Sequence, residues 1–185
     1  MRFLILLSTV VLACLVSPRL WGGDVLDDFS AAGWKTANAK APATVEAKAG
    51  SLLLTDLAGG EVKWGSSCAK RYAKVDLAAT PYLVIKVVSL TGGYEVKLSG
   101  GKQWPKKRVA SGDKPGLVVI DMPKIPGWEA DKGALNVYLY TMGDGTKVDY
   151  GFVKFTDTLS AEEEAAAKAR AAVKPGGKVA PKRAR

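Results

Sequence analysis

The chain has 185 residues, 27 of them Lys or Arg against 18 Asp or Glu, a formal charge of +9, and no histidine. Apolar residues make up 48% and charged residues 24%, a balance that belongs to a folded domain with appendages and not to a disordered chain. Without histidine, a Ser-His-Asp triad, a Cys-His dyad and a His-ligated zinc site are excluded, and two cysteines cannot form a disulfide framework.

Residues 1–23 hold Arg2 and Arg19 and no acid, residues 158–185 hold seven bases against three acids, and the stretch between them carries a net +3. The basic character thus belongs largely to the ends, and a nucleic-acid-binding core is not supported. After Met1-Arg2 comes an uncharged apolar run of 14 residues, Phe3 to Val16. It is shorter than the ~18 residues that span a membrane comfortably, and a basic start followed by a short apolar stretch has the form of a secretory signal. The expectation is a signal peptide over 1–22 and a secreted or periplasmic protein. Val11-Leu12-Ala13-Cys14 loosely resembles a lipobox, the alternative in which Cys14 carries a lipid. Removal of the signal would take Trp21 and Cys14 with it. Cys68, left single, is then expected as a small buried hydrophobe.

From residue 23 to residue 157 short apolar stretches alternate with Gly, Pro and Asp, without a sustained helical period. Strands are predicted at Val25–Phe29, Thr44–Lys48, Ser51–Leu54 and Ala69–Val75. In Tyr82–Val88, Leu83, Ile85 and Val87 point one way and Lys86 the other. A Thr91-Gly92-Gly93 turn follows, and then Tyr94, Val96 and Leu98 alternate with Glu95 and Lys97, so a hairpin is expected. Leu117–Asp121 is a β-branched run. Leu135, Val137 and Leu139 alternate with Asn136, Tyr138 and Tyr140, and a Gly143-Asp144-Gly145-Thr146 turn leads into Lys147–Phe155. That last strand shifts phase between Val148, Tyr150 and Phe152 on one side and Val153 and Phe155 on the other. A bulge near Gly151 would reconcile them. Short strands with regularly spaced turn signals predict an all-β fold, an antiparallel two-sheet β-sandwich of the jelly-roll kind.

Residues 158–173 read as a short Ala/Glu-rich helix. Ser160 and Glu163 form a capping box, Lys168 and Arg170 complement the dipole at its far end, and Glu164 pairs with Lys168. With no stripe of large apolar residues to dock, this helix is expected to be exposed. Residues 174–185 read as a disordered basic tail bearing Lys174, Lys178, Lys182, Arg183 and Arg185. The tail would favour anionic surfaces or act simply as a solubilising terminus.

Several local signatures coincide in the central domain: Leu26-Asp27-Asp28-Phe29 before Gly33-Trp34, a loop at Trp64, Val75-Asp76-Leu77 leading to Pro81, Gly127-Trp128 after Ile120-Asp121, and a final aromatic strand. Their order resembles the galactose-binding-domain-like jelly rolls of bacterial non-catalytic carbohydrate-binding modules. The resemblance implies glycan binding without catalysis. It also implies a structural calcium near the first and last strands, for which Asp27, Asp28 and Asp157 carry oxygen ligands of the right type. The alternative for those three is ordinary capping and turn carboxylates.

Aromatic rings cover the flat apolar faces of sugars while polar side chains bond the hydroxyl rim. Trp34 is expected in the core. Trp64 suits either loop packing or ligand contact, and Trp128, after Pro126-Gly127, either caps the sandwich or touches ligand. Trp104 stands with Lys102, Lys106, Lys107 and Arg108 in the stretch from Gly100 to Arg108. That grouping suits an acidic glycan, could stack a base and grip phosphate in single-stranded nucleic acid, or is a solvated loop. Asn136, Tyr138 and Tyr140 form a platform if their side of the sheet is uncovered. Asp121, Glu129 and Asp131 do not compose a catalytic pair.

The expected ligand-binding set is therefore Trp64, Trp104, Lys106, Arg108, Trp128, Asn136, Tyr138 and Tyr140. The expected function is an exported non-catalytic carbohydrate-binding protein for an acidic polysaccharide or cell-envelope glycan, with no cofactor required and no specific nucleic acid. The alternative is an envelope adaptor that uses the sandwich for protein contacts and the tail for anionic surfaces, which calls for a large exposed apolar patch.

Overall fold

A computed structural model describes residues 24–37, 42–57, 65–100, 106–128 and 134–172. The expectations for the signal segment, Trp64, Trp104 and the basic tail lie outside these residues. The elements are β1 Val25–Asp27, β2 Lys35–Thr36, β3 Ala43–Lys48, β4 Ser51–Asp56, β5 Ser67–Tyr72, β6 Tyr82–Ser99, β7 Lys107–Gly112, β8 Gly116–Asp121, β9 Leu135–Thr156 and α1 Ala161–Ala172, with a 3-10 turn at Met122–Lys124.

Two long strands organise the sandwich: β6 has 18 residues and β9 has 22. In the first layer, the early half of β6 pairs with β8 on one side and with the late half of β9 on the other. Beyond β9 in that layer lie β1 and, further along the strand, β4 with β3. In the second layer, the late half of β6 lies between β7 and the early half of β9, and β5 and β2 follow. All of these pairings are antiparallel.

The two expected turns sit inside these strands, and so the expected hairpin between Tyr82–Val88 and Tyr94–Leu98 is one continuous strand instead. Thr91 faces Lys147 and Gly93 faces Met142, which leaves Gly92 opposite the four residues 143–146. The paired strands pass from one layer to the other at this wide irregularity. Gly92 has φ 85°, and a Cβ there would lie 2.5 Å from Thr146 Cγ2 and 2.8 Å from the Met142 carbonyl. Glycine is required for both reasons. The bulge expected near Gly151 is present: Lys86 faces Phe152 and Val87 faces Tyr150, so Gly151 has no opposite number. It turns Val148, Tyr150, Val153 and Phe155 to the same interior, all at 0% exposure.

The inward residues of both layers form one core, with Leu83, Ile85, Leu52 and Leu54 from the first and Val96, Leu98, Val137 and Leu139 from the second. Each fully buried side chain of this size contributes about 1.5–3 kcal/mol. Tyr72 of the second layer meets Phe155 of the first edge to face at 4.9 Å, and Trp34 and Phe29 extend the aromatic chain. Beside it Asp27 is buried and fully engaged. Its carboxylate accepts from the Phe29 amide at 3.0 Å, Trp34 Nε1 at 3.1 Å and the Tyr72 hydroxyl at 2.6 Å, and pairs with Lys70 at 2.9 Å. Cys68 is buried as well, and desolvation pushes its thiol far above the usual range.

Helix α1 follows the capping box: the Glu163 amide donates to Ser160 Oγ at 3.3 Å and the Ser160 amide to Glu163 Oε2 at 2.8 Å. Most of the helix is exposed, in keeping with its alanine-rich composition. Polar contacts fasten it. Glu163 pairs with Lys154 at 2.5 Å, and Arg170 Nη2 donates to the Val109 carbonyl at 2.7 Å. The helix packs against β8. Leu26, Lys154, Val84 and Val119 align across the first layer, on the side away from the core. Val84 and Val119 are nevertheless buried at 0% and 5% exposure.

Candidate functional site

The outer side of the second layer is the other large face of the sandwich, and register fixes what it displays. Residues directly opposite one another in antiparallel strands share a face. Lys35, Ala69, Tyr138, Lys97 and Arg108 therefore form one row across β2, β5, β9, β6 and β7. Ser67, Tyr140, Glu95 and Ser111 form a parallel row, and Arg71, Asn136 and Ser99 a third. Alternation in β9 decides the matter locally: Leu135, Val137 and Leu139 are buried, so Asn136, Tyr138 and Tyr140 must face outward, where they are half-buried.

The rings and the cations are interleaved. Lys97 Nζ stands 4.3 Å from the centre of the Tyr140 ring, and Lys106 Nζ stands 3.8 Å from the centre of the Tyr138 ring. Lys106 Nζ also donates to the Tyr140 hydroxyl at 3.3 Å. Under this layer lies Glu95, paired with Lys97 at 2.6 Å and with Arg108 at 3.3 Å, its side chain 6% exposed. At the other end, Asn136 Nδ2 donates to the Ser99 carbonyl at 3.3 Å, and Ser99 Oγ lies 3.5 Å from the Tyr138 hydroxyl. A bulge in β7 shapes the cationic edge: Val96 faces Ala110 and Lys97 faces Arg108, leaving Val109 unpaired. Arg170 of α1 satisfies the Val109 carbonyl.

Of the sequence-predicted ligand residues, the structure thus brings together Lys106, Arg108, Asn136, Tyr138 and Tyr140. Trp128 is half-buried after the 3-10 turn and packs against the core. Trp64 and Trp104 lie outside the described residues. Glu95, Lys97, Lys35 and Arg71 join the face although the sequence did not single them out. Their signal was present for Glu95 and Lys97, which alternate with Val96 and Leu98, but the strand they oppose is some forty residues away.

Two of the three carboxylates named for calcium, Asp27 and Asp28, are engaged by protein groups. Asp27 already neutralises an ammonium and accepts three further hydrogen bonds. Burial alone would raise its pKa, but the bonds from Tyr72, Lys70 and the Phe29 amide, with the charge of Lys70, hold it below the usual value. Asp28 caps its own turn, accepting from the Ser30 amide at 3.0 Å and the Ser30 hydroxyl at 2.5 Å. Among the described residues no group of three or more His, Cys, Asp or Glu side chains is gathered to hold a metal ion.

No family model matches the chain, and no curated protein sequence matches it. Solved structures do. A mutant of the family 29 carbohydrate-binding module CBM29-2, complexed with mannohexaose, is 10% identical with a TM-score of 0.52, over 73% of this chain and 92% of that one. A second CBM29-2 mutant is also 10% identical, with a TM-score of 0.51 over 75% of this chain and 99% of that one. Xylanase10C from Cellvibrio japonicus, a mutant in complex with xylopentaose, is 10% identical with a TM-score of 0.50, over 71% of this chain and 28% of that one. At such identity the likeness concerns architecture: the described strands form the antiparallel β-sandwich jelly roll seen in carbohydrate-binding modules.

Proposed function

We propose that the protein is an exported, non-catalytic carbohydrate-binding protein that takes an acidic polysaccharide across the outer face of the second layer. The observation that carries this reading is the joint placement of Tyr138 and Tyr140 with Lys97 and Arg108 on one side of the sheet, and of Lys106 over the two rings. The three aligned rows hold Lys35, Arg71, Lys97 and Arg108 against a single carboxylate, Glu95, and Lys106 adds a further charge over them. Such a surface attracts a polyanion before contact. Once in contact, tyrosine faces cover sugar rings at about 0.5–1.5 kcal/mol each. Ammonium and guanidinium groups meet carboxylate or sulfate, and Asn136, Ser99 and the tyrosine hydroxyls serve neutral hydroxyls. Glu95 has no second carboxylate in the rows to work with, and two cations occupy it already. The fold of the solved carbohydrate-binding modules supports the reading, and the apolar run from Phe3 to Val16 supports export. The adaptor alternative asks for a broad apolar patch. Large exposed apolar side chains among the described residues are Leu26 in β1, Val88 in β6 and Leu57 just after β4, and they lend it no support.

Affinity electrophoresis through gels containing polygalacturonate, xylan or mannan tests the proposal. The acidic polymer should retard the protein at low salt, high salt should relieve the retardation, and the double substitution Tyr138→Ala, Tyr140→Ala should abolish it. Free migration through every polysaccharide at low salt would end the proposal.

A further inference from the structure

We infer that Lys106 is the residue that selects charged over neutral glycans on this face, an inference that rests on the carbohydrate-binding reading above. The two lysines that cover the tyrosines are held in different ways. Lys97 is tied to the Glu95 carboxylate at 2.6 Å, and its side chain is 29% exposed. Its ammonium therefore stays over Tyr140 whether or not a ligand arrives. Lys106 precedes β7, is exposed, and has no carboxylate partner among the described residues. Its ammonium rests on the Tyr138 ring at 3.8 Å and on the neutral Tyr140 hydroxyl at 3.3 Å, with the Tyr140 ring centre 6.0 Å away.

That arrangement makes the Tyr138 ring face conditional. A sugar that stacks there must first displace the Lys106 ammonium from the ring. A neutral sugar offers the displaced cation nothing beyond hydroxyl contacts that water supplies equally well. A uronic or sulfated sugar offers it an anion, and the ring-held cation becomes half of a charge-assisted hydrogen bond. The flexible lysine stem allows the move by rotamer change alone. Lys106 thus acts twice in the same direction, by closing the ring to neutral sugars and by rewarding charged ones. Arg108 does not share the role, because its guanidinium is turned to Glu95 at 3.3 Å.

The experiment compares polymers that differ in charge alone: polygalacturonate with its carboxyl-reduced form, and dextran sulfate with dextran. Equilibrium binding is measured for the full chain, for Lys106→Ala and for Lys106→Arg, with urea unfolding as a check that this exposed substitution leaves stability unchanged. In whichever pair the full chain binds, Lys106→Ala should weaken the charged polymer roughly tenfold and tighten the neutral one, while Lys106→Arg keeps the charged preference. An unchanged preference in Lys106→Ala, or an equal loss for both members of the pair, overturns the inference and leaves the carbohydrate reading standing. If the unsubstituted protein binds none of the four polymers, both fall together.

Discussion

The outer faces of the two layers are built largely from the same two strands, β6 and β9, and yet they meet their surroundings differently. On the first layer the outward row contains Val84 and Val119, and both are buried, with α1 packed against β8. On the second layer the outward rows contain Tyr138, Tyr140, Asn136 and Lys97, half-buried, and Arg108, exposed, beside the buried Ser67, Glu95 and Ser99. A strand that crosses between layers can therefore address the interior with one continuous alternation while its outer side changes from aliphatic to aromatic and cationic. Aliphatic rows gain by being covered, whereas a row of cations and phenols loses hydration when covered unless a charged partner arrives. The helix anchors show the same economy: α1 is joined to the first layer by Glu163 on Lys154, and touches the second at the bulged Val109 carbonyl.

Charge placed on either face breaks this contrast most directly. Val84→Asp would bury a carboxylate whose cross-strand neighbour, Lys154, is already paired with Glu163, and should lower stability by about 3 kcal/mol or more. Asn136→Asp on the other face forfeits the bond donated to the Ser99 carbonyl and should cost less, about 0.5–1.5 kcal/mol. Urea midpoints of the two variants measure the difference, and equal effects would mean that the two faces are covered alike.

A smaller effect is expected at the polar link that both layers share. Asp27→Asn keeps the shape but removes the charge facing Lys70, and should cost about 1.5–3 kcal/mol. Asp27 and Glu163 are both held below their ordinary values of 3.8 and 4.5 against the opposing effect of burial, Asp27 by Tyr72, Lys70 and the Phe29 amide, Glu163 by Lys154 and Ser160. The folded state thus binds their protons less readily than the unfolded chain does. Their stabilisation is complete above that ordinary range and disappears as pH falls through and below it. Thermal unfolding as a function of pH should show this acid loss, with a shallower slope in Asp27→Asn.

The smallest expected changes sharpen the contrast on the binding side. Tyr138→Ala and Tyr140→Ala taken singly should each weaken glycan binding by about 0.5–1.5 kcal/mol with little effect on the urea midpoint, because both rings are half-exposed. A ring whose loss shifts the midpoint as much as Val84→Asp belongs to the interior and not to the site.

Period and phase in the sequence were enough for the sandwich. The inward sets Leu83, Ile85, Val87 and Leu135, Val137, Leu139 are buried as their alternation requires, and the bulge at Gly151 follows from the shift between Tyr150 and Val153. Gly92 and the Gly143–Thr146 stretch were misleading, since a glycine with positive φ serves a hairpin turn and a mid-strand bend equally well. What separates the two is the remote strand lying alongside, which local pattern does not contain. The same limit hid part of the site. Tyr138, Tyr140 and Asn136 were legible as one outward row, but their pairing with Lys97, Glu95 and Ser99 depends on the non-local register of β6 on β9. Strand β7 carries no clear alternation of its own, Lys107 and Arg108 ending a charged stretch, and its bulge at Val109 leaves no mark on the sequence.

Amide and side-chain chemical-shift mapping with an oligogalacturonate tests the central claim most directly. The account predicts that perturbations concentrate at Asn136, Tyr138, Tyr140, Lys97, Lys106 and Arg108 while Val84, Val119 and α1 stay still. Perturbations centred on the helix-covered layer, or on the crossing at residues 143–146 with the tyrosine face unmoved, would contradict it.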